Sequence, residues 1–437
     1  MEPEARGGAA GRQRLGAQDR RVRRDRRLRP GRARPQPSDE HAAGLRLWRP
    51  PPPERRRLPG DGRRDRPGTV RVGRALNRDV AGLRLGLFGF NCSSGRTYAT
   101  LPESWDASWE NNLALAQRAD ELGLDCLIPI ARWKGYGGDS NPNGSSFESI
   151  AWACGLLAAT RSVDVFCTVH VPLHHPLVAA KQMATADHIG RGRLGVNIVC
   201  GWNEDEFRMF GVEKQEHDAR YAQGDEWWSI VKRVWAGEDR FDHEGVHYTL
   251  RRVEGAPRPY AGRPLRMMNA GSSPAGRAFA IRHSDMHFDA IDIPEASIDR
   301  IAETKRLARE RGRDIEVWTP VGIVCRRTQR EADDYVRHVV DHVDLGAIGY
   351  LAEMKTKDGH SATDPQGRQL RSPIERRALA RGSYCVIGDA DAVARELARL
   401  SSAGVDGVAI NFVDYLAELP FFAAEVLPRL EALGLRA

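Results

Sequence analysis

Leu265-Arg266-Met267-Met268-Asn269-Ala270-Gly271-Ser272-Ser273-Pro274-Ala275-Gly276-Arg277-Ala278-Phe279-Ala280-Ile281-Arg282 reads as a strand, a turn and a helix in direct succession. The apolar run 265–269 has the length of a buried strand. Small residues then turn the chain, Ser273 offers an N-cap, and Pro274 suits a first helical position. A further strand, 284–290, follows at once. The same unit recurs on both sides. Toward the N-terminus, the pattern predicts strands at 85–90, 125–130, 163–169 and 193–199. Between and after them it predicts helices at 105–122, 147–159, 175–189 and 218–236, the first with Ser104 as N-cap and Gly123 as its stop. A small hairpin closing at Glu244-Gly245 covers 241–250. Toward the C-terminus come a helix at 294–311, a strand at 315–325, a helix at 329–343, a polar stretch at 344–383, a helix at 391–403, a strand at 407–412 and a helix at 419–433. Eight strands, mostly followed by helices, predict an α/β protein, a (β/α)8 TIM barrel with insertions. A doubly wound open sheet is the alternative. It is weakened because Gly89-Phe90-Asn91-Cys92, after the first strand, lacks the glycine spacing of a dinucleotide turn. No P-loop is present.

The barrel does not account for the whole chain of 437 residues. Residues 1–80 hold 23 Arg and 10 acids, a local charge of +13, and the remainder carries −6. The net charge of +7 therefore belongs to the tail. Residues 1–80 show no hydrophobic periodicity and read as a disordered Arg/Pro-rich extension, an upstream addition to the barrel at 83–437. A nucleic-acid arm is the rival reading. The arginines lack the interleaved aromatics that a base-stacking surface uses, which argues against it. No apolar run approaches the length of a membrane span. Seven scattered cysteines without a C-x-x-C pair argue against a zinc ribbon, a thioredoxin-like site and a secreted disulfide scaffold. A reduced, cytoplasmic protein is the expectation.

Ligands of a parallel barrel meet the C-terminal ends of its strands. After the second strand, Ala131-Arg132-Trp133-Lys134-Gly135-Tyr136-Gly137-Gly138 sets two cations around an aromatic, with glycines that admit a ligand closely. An exposed flexible loop is the equal alternative. Asn197 stands inside an apolar strand and needs partners, from a ligand or from backbone. Glu206 is either a site residue or a helix N-terminal charge. Arg220-Tyr221 opens a helix and suits a phosphate, though surface Arg-Tyr pairs are common. Ser272 and Ser273, before Pro274, offer hydroxyls and a helix N-terminus to a phosphate, or an ordinary cap. His170, His174 and His175 could act in a substrate pocket or be satisfied by backbone. Pro172 and Pro176 oppose a helical ligand set, and no metal site is expected.

Taken together, several stretches resemble the flavin-dependent bacterial-luciferase-like monooxygenases. They are 134–138, 180–188, 192–199, Gly201-Trp202, His217-Asp218-Ala219-Arg220-Tyr221 and Gly271-Ser272-Ser273. The resemblance runs from about Leu83 to the C-terminus. It implies a barrel that takes FMN as FMNH2 from a separate NAD(P)H:flavin reductase, with O2 as co-substrate. It implies oxygenation of a small organic molecule, such as a sulfone, sulfonate or N-heterocycle. By position, Ala131 and Arg132 match residues near the flavin ring, and Asn197 and Glu206 match flavin-site residues. Arg220, Tyr221 and Ser273 match residues at the flavin phosphate. Relatives usually carry Thr or Ser where this chain has Cys200, and a thiol is a weak donor. Ser272 is then the substitute phosphate donor. Arg132 and His170, with Lys134, are expected to orient substrate, and Trp133 to stack on it. The polar stretch 344–383 falls where such enzymes carry a lid. A homo-oligomer, dimer or tetramer, is implied. The rival on the same barrel is a deazaflavin-dependent hydride-transfer oxidoreductase.

Overall fold

The computed structural model describes residues 82–237, 239–357 and 373–436, with the side chains of 355–357 left aside. The extension 1–80 and the centre of the 344–383 stretch lie outside the described residues. Eleven strands are β1 Arg84–Phe88, β2 Cys126–Ile128, β3 Asp164–His170, β4 Leu194–Val199, β5 Phe241–Glu244, β6 Thr249–Val253, β7 Arg266–Asn269, β8 Met286–Phe288, β9 Glu316–Cys325, β10 Tyr384–Gly388 and β11 Gly407–Asn411. Eight of them pair in parallel in the order β1-β2-β3-β4-β7-β8-β9-β11, and β11 closes on β1 with Leu87 opposite Ile410. The expected (β/α)8 barrel is the fold. Hairpin β5–β6 forms a separate antiparallel sheet.

Two layers of apolar side chains explain why the sheet closes. Phe88, Cys126, Ile128, Phe166, Met268, Met286, Phe288 and Trp318 form one cluster, and alternate strand positions form a larger one with the surrounding helices. The inner cluster needs small residues opposite its large ones. A Cβ on Gly407 would lie 2.3 Å from the Trp318 ring, and one on Gly195 would lie 2.5 Å from the Phe166 ring. Glycine at both positions lets the two aromatics fill the barrel.

Several local expectations change. The first helix is capped by Ser108, whose side chain accepts from the Asn111 amide, not by Ser104. The Ser104 hydroxyl donates to the Ala99 carbonyl, and the buried Trp105 indole donates to the Phe90 carbonyl, so 104–107 is held as a loop. Gly123 does stop this helix, at φ +68°. The expected 419–433 helix is two, Tyr415–Glu425 and Leu427–Ala432. Pro428, near the start of the second, has no N–H to continue the first. β10 was not expected. It pairs with Val321–Cys325 of β9, beyond the point where β8 ends against Trp318. The polar stretch contains helices Leu345–Lys357 and Pro373–Ala380. Among the described residues no helix is long and apolar enough to cross a membrane.

Candidate active site at the mouth of the barrel

The C-terminal ends of β4 and β7 enclose a cavity of about 260 Å³. Its lining includes Cys200, Gly201, Trp202, His217, Arg220, Tyr221, Ala270, Gly271, Ser272, Ser273 and Arg381. The loop after β7 is fixed from below. Asn269 Nδ2 donates to the Ile198 carbonyl at 2.7 Å, and Asn269 Oδ1 accepts from the Gly271 amide at 2.9 Å. His287 of β8 lies 3.1 Å from the Gly271 carbonyl through Nε2. A carbonyl only accepts, so Nε2 carries the proton. Ser273 caps helix Pro274–His283 by accepting from the Gly276 amide. That uses a lone pair and leaves its O–H to donate outward. Ser272 is exposed in the same lining. Arg220, in helix His217–Ala236, is buried and donates to the Gly201 carbonyl. A Cβ on Gly271 or Gly276 would meet the Tyr221 hydroxyl at 2.8 or 2.5 Å, so glycine is what lets the ring close over this loop.

Cys200 belongs to this cavity as a neutral thiol. Burial pushes its pKa up to about 12. Its Sγ nests on helix His217–Ala236, 2.7 Å from where a Gly224 Cβ would stand.

A neighbouring cavity of about 380 Å³ lies at the ends of β2 and β3. Ala131, Arg132, Trp133, Ser146, Ser149, Thr168, His170 and His174 line it. The two cavities are lined from neighbouring strands, where Thr168 pairs with Asn197 and His170 with Val199. Asn197 Nδ2 donates to Thr168 Oγ1 at 3.3 Å, and its Oδ1 is buried without a partner among the described residues. Arg132 Nη1 lies 3.0 Å from Glu206 Oε1, both side chains only 3% exposed. The same oxygen accepts from the amides of Trp133 at 2.9 Å and Lys134 at 3.3 Å. Glu206 sits in a short helix, Glu204–Met209, that the sequence pattern had not predicted. Through this ion pair the charge of Arg132 is answered inside the protein. Lys134 is likewise engaged, 2.8 Å from Asp205. Burial lowers the His170 pKa to about 4, with Arg132 adding to the effect and Glu206 opposing it. The imidazole is neutral at ordinary pH, and its Nδ1 lacks a partner among the described residues.

Helix Leu345–Lys357 packs beside this mouth. Its Ala347, Ile348, Leu351 and Met354 cluster with Tyr98 and Tyr136, and Trp202 joins them. Arg132 and Arg381 both stack on Tyr136, at 5.0 and 4.7 Å from the ring centre, and both reach Trp202. Arg381 has no carboxylate partner among the described residues.

The expected residues thus fall into two groups. Arg220, Tyr221, Ser272 and Ser273 share one cavity; Ala131, Arg132 and His170 share the other. Asn197 and Glu206 are buried beside them. His174 Nδ1 bonds the His170 carbonyl, and His175 caps helix Pro176–Gly190. Sequence reasoning missed Arg381, Thr168, Asn269 and His287 as parts of the site. Asn269 and His287 end or occupy apolar strands, as Asn197 does, and that was the available signal. Arg381 gave none, being one arginine among several within the polar stretch 344–383. Among the described residues no cluster of side chains suits a metal ion.

The profile of the family described as luciferase-like monooxygenase matches residues 83–407. Pyrimidine monooxygenase RutA of Klebsiella pneumoniae subsp. pneumoniae is 27% identical over 352 residues, which is 79% of this chain and 96% of that protein. The solved structure of riboflavin lyase (RcaE) with modified FMN and substrate riboflavin is similar at a TM-score of 0.71 and 22% identity, over 82% of this chain and 93% of that one. The coenzyme F420-dependent tetrahydromethanopterin reductase of Methanopyrus kandleri is similar at a TM-score of 0.56 and 16% identity, over 80% of this chain and 100% of that one. At such identities these two structures speak for the barrel alone.

Proposed function

This chain belongs to the luciferase-like monooxygenase family, and from that premise we propose that it is the oxygenating half of a two-component system. It binds FMNH2 delivered by a separate NAD(P)H:flavin reductase, and with O2 it oxygenates a small organic substrate. The observation that carries this reading is the cationic cavity at β4 and β7. Arg220, Arg381, His217 and the hydroxyls of Ser272 and Ser273 converge there beside the N-terminus of helix Pro274–His283, and no carboxylate is among its described lining residues. That is the donor set a flavin phosphate requires. The unpartnered Oδ1 of Asn197 fits a flavin ring with N–H groups to offer.

When bound, reduced flavin supplies the two electrons that let O2 give one oxygen atom to substrate and the other to water. The chain's own work is positioning and exclusion. Arg220, Tyr221, Ser272 and Ser273 hold the phosphate end. Asn197, Thr168 and Ala131 face the ring. Helix Leu345–Lys357, with Tyr136 and Trp202, keeps water from the reacting centre. His170 offers one N–H and one lone pair, and as a neutral group it is an orienting residue, not a general acid.

A cytoplasmic location accords with seven free cysteines. A homo-oligomer accords with an exposed stripe on helix Pro176–Gly190 that includes Val178 at 53% and Ile189 at 41% exposure. Sedimentation of the full chain reads that directly. The decisive test is an anaerobic titration of the full chain, and of a chain starting at Leu83, with reduced FMN and reduced deazaflavin side by side. Selective reduced-FMN binding by both, followed by an O2-dependent spectral change, is expected. Selective deazaflavin binding overturns the proposal and leaves the barrel standing.

A further inference from the structure

The two cavities differ in charge, and the difference bears on substrate. Taking the cavity at β2 and β3 as the substrate site rests on the proposed function above. Among its described lining residues Arg132 is the one buried cation, and Glu206 answers it at 3.0 Å. Glu206 is not free to swing away, because the backbone amides of Trp133 and Lys134 bind the same carboxylate oxygen. An anion approaching Arg132 must displace or abut a buried carboxylate, and like charges side by side are costly there. The other charged lining residue, Glu148, is negative and caps helix Ser149–Ala159 through the Ile150 and Ala151 amides. The hydroxyls of Ser146, Ser149 and Thr168 donate to the carbonyls of Arg132, Thr168 and Pro129, so their protons are already committed and not offered to an anion in the cavity. The cavity at β4 and β7 differs in that no carboxylate is among its described lining residues.

We infer that the Arg132–Glu206 pair is a charge filter: it makes this site select an uncharged polar substrate over the anion of the same size and shape. Arg132 supplies directed N–H groups and an aromatic-stacked plane, while Glu206 cancels the net charge that would attract a sulfonate or carboxylate.

The test uses matched probes on the full chain: dimethyl sulfone against methanesulfonate, and acetamide against acetate. Calorimetric binding and substrate-dependent diversion of O2 from peroxide release are read for each, with reduced-FMN binding measured in parallel. In the wild type the neutral member of a pair should bind about tenfold or more tighter than the anion. Glu206→Gln should close that gap by strengthening the anion, and Glu206→Asp, which keeps the charge, should preserve it. A wild type that binds the anion as well as the neutral partner overturns the filter. So does a folded Glu206→Gln chain that gains no anion affinity, including the case where neither pair binds. Failure to bind reduced FMN is read separately and counts against the monooxygenase reading, not against the charge preference.

Discussion

His287 acts at one remove from any ligand. Its buried ring donates from Nε2 to the Gly271 carbonyl, and Gly271 begins the loop that presents Ser272 and Ser273. Burial keeps its pKa below the usual histidine range, which preserves the neutral donor form. Removing one such buried bond costs about 0.5–1.5 kcal/mol, so His287→Leu should weaken reduced-FMN binding roughly two- to thirteenfold. A spectroscopic titration checks this. His287→Gln can still offer an N–H and should recover part of the loss; equal loss in both variants points to packing instead. Arg132 shows the opposite situation, a group named early whose meaning changed with its neighbour. Its position beside Trp133 was legible at once. That Glu206, distant in sequence, would neutralise it was not, because a salt bridge between two loops depends on where both strands end.

At the scale of elements, Asp344 decides how helix Leu345–Lys357 is fastened. Its carboxylate accepts from the Ser140 amide at 2.7 Å, the Ser140 hydroxyl at 2.6 Å and the Ala347 amide at 2.9 Å. Burial acts to raise its pKa, yet the bonds from Ser140 and Ala347 outweigh that and hold it below the usual range. Asp344→Ala should therefore free the helix start without opening the barrel. A local loss of about 1–3 kcal/mol predicts a roughly 5- to 150-fold drop in amide-exchange protection across 345–354. It also predicts more peroxide released per O2 consumed, because water reaches the mouth. Asp341→Ala, an exposed neighbour, should leave both unchanged. Unchanged protection in Asp344→Ala rules out this fastening. The eight barrel strands were readable because each is a short apolar run followed by helical periodicity. The helix at 345–357 was not, since Gly346, Gly349 and the polar residues around it mask its apolar face. β10 escaped for a different reason. Tyr384-Cys385-Val386-Ile387 has a strand's composition, but the eight-strand count was already complete without it.

For the whole molecule, strand β3 joins two titratable groups of opposite sense, the partly buried Asp164 at its first residue and the buried His170 at its last. Asp164 lies in the charge cluster at the barrel's lower end, 4.0 Å from Arg266, which also binds Glu316. Burial raises its pKa to about 7, against the pull of Arg266. Its folded pKa is above the unfolded one. Its contribution to stability is therefore complete below about pH 3.9 and is lost as pH rises through about 7. His170 is lowered to about 4. Its contribution is complete above about pH 6.5 and is lost as pH falls through about 4. The shifts correspond to roughly 3 to 4 kcal/mol each at most, and the two slopes oppose each other over nearly the same window. The wild type should then show little net slope from these two groups between about pH 4 and 6.5. Asp164→Asn removes the falling slope and should leave stability rising with pH across that window. His170→Gln removes the rising slope and should leave stability falling. Urea melts at half-unit pH steps read both. Parallel pH profiles for the wild type and the two variants would show that the two groups at the ends of β3 do not titrate as their surroundings require.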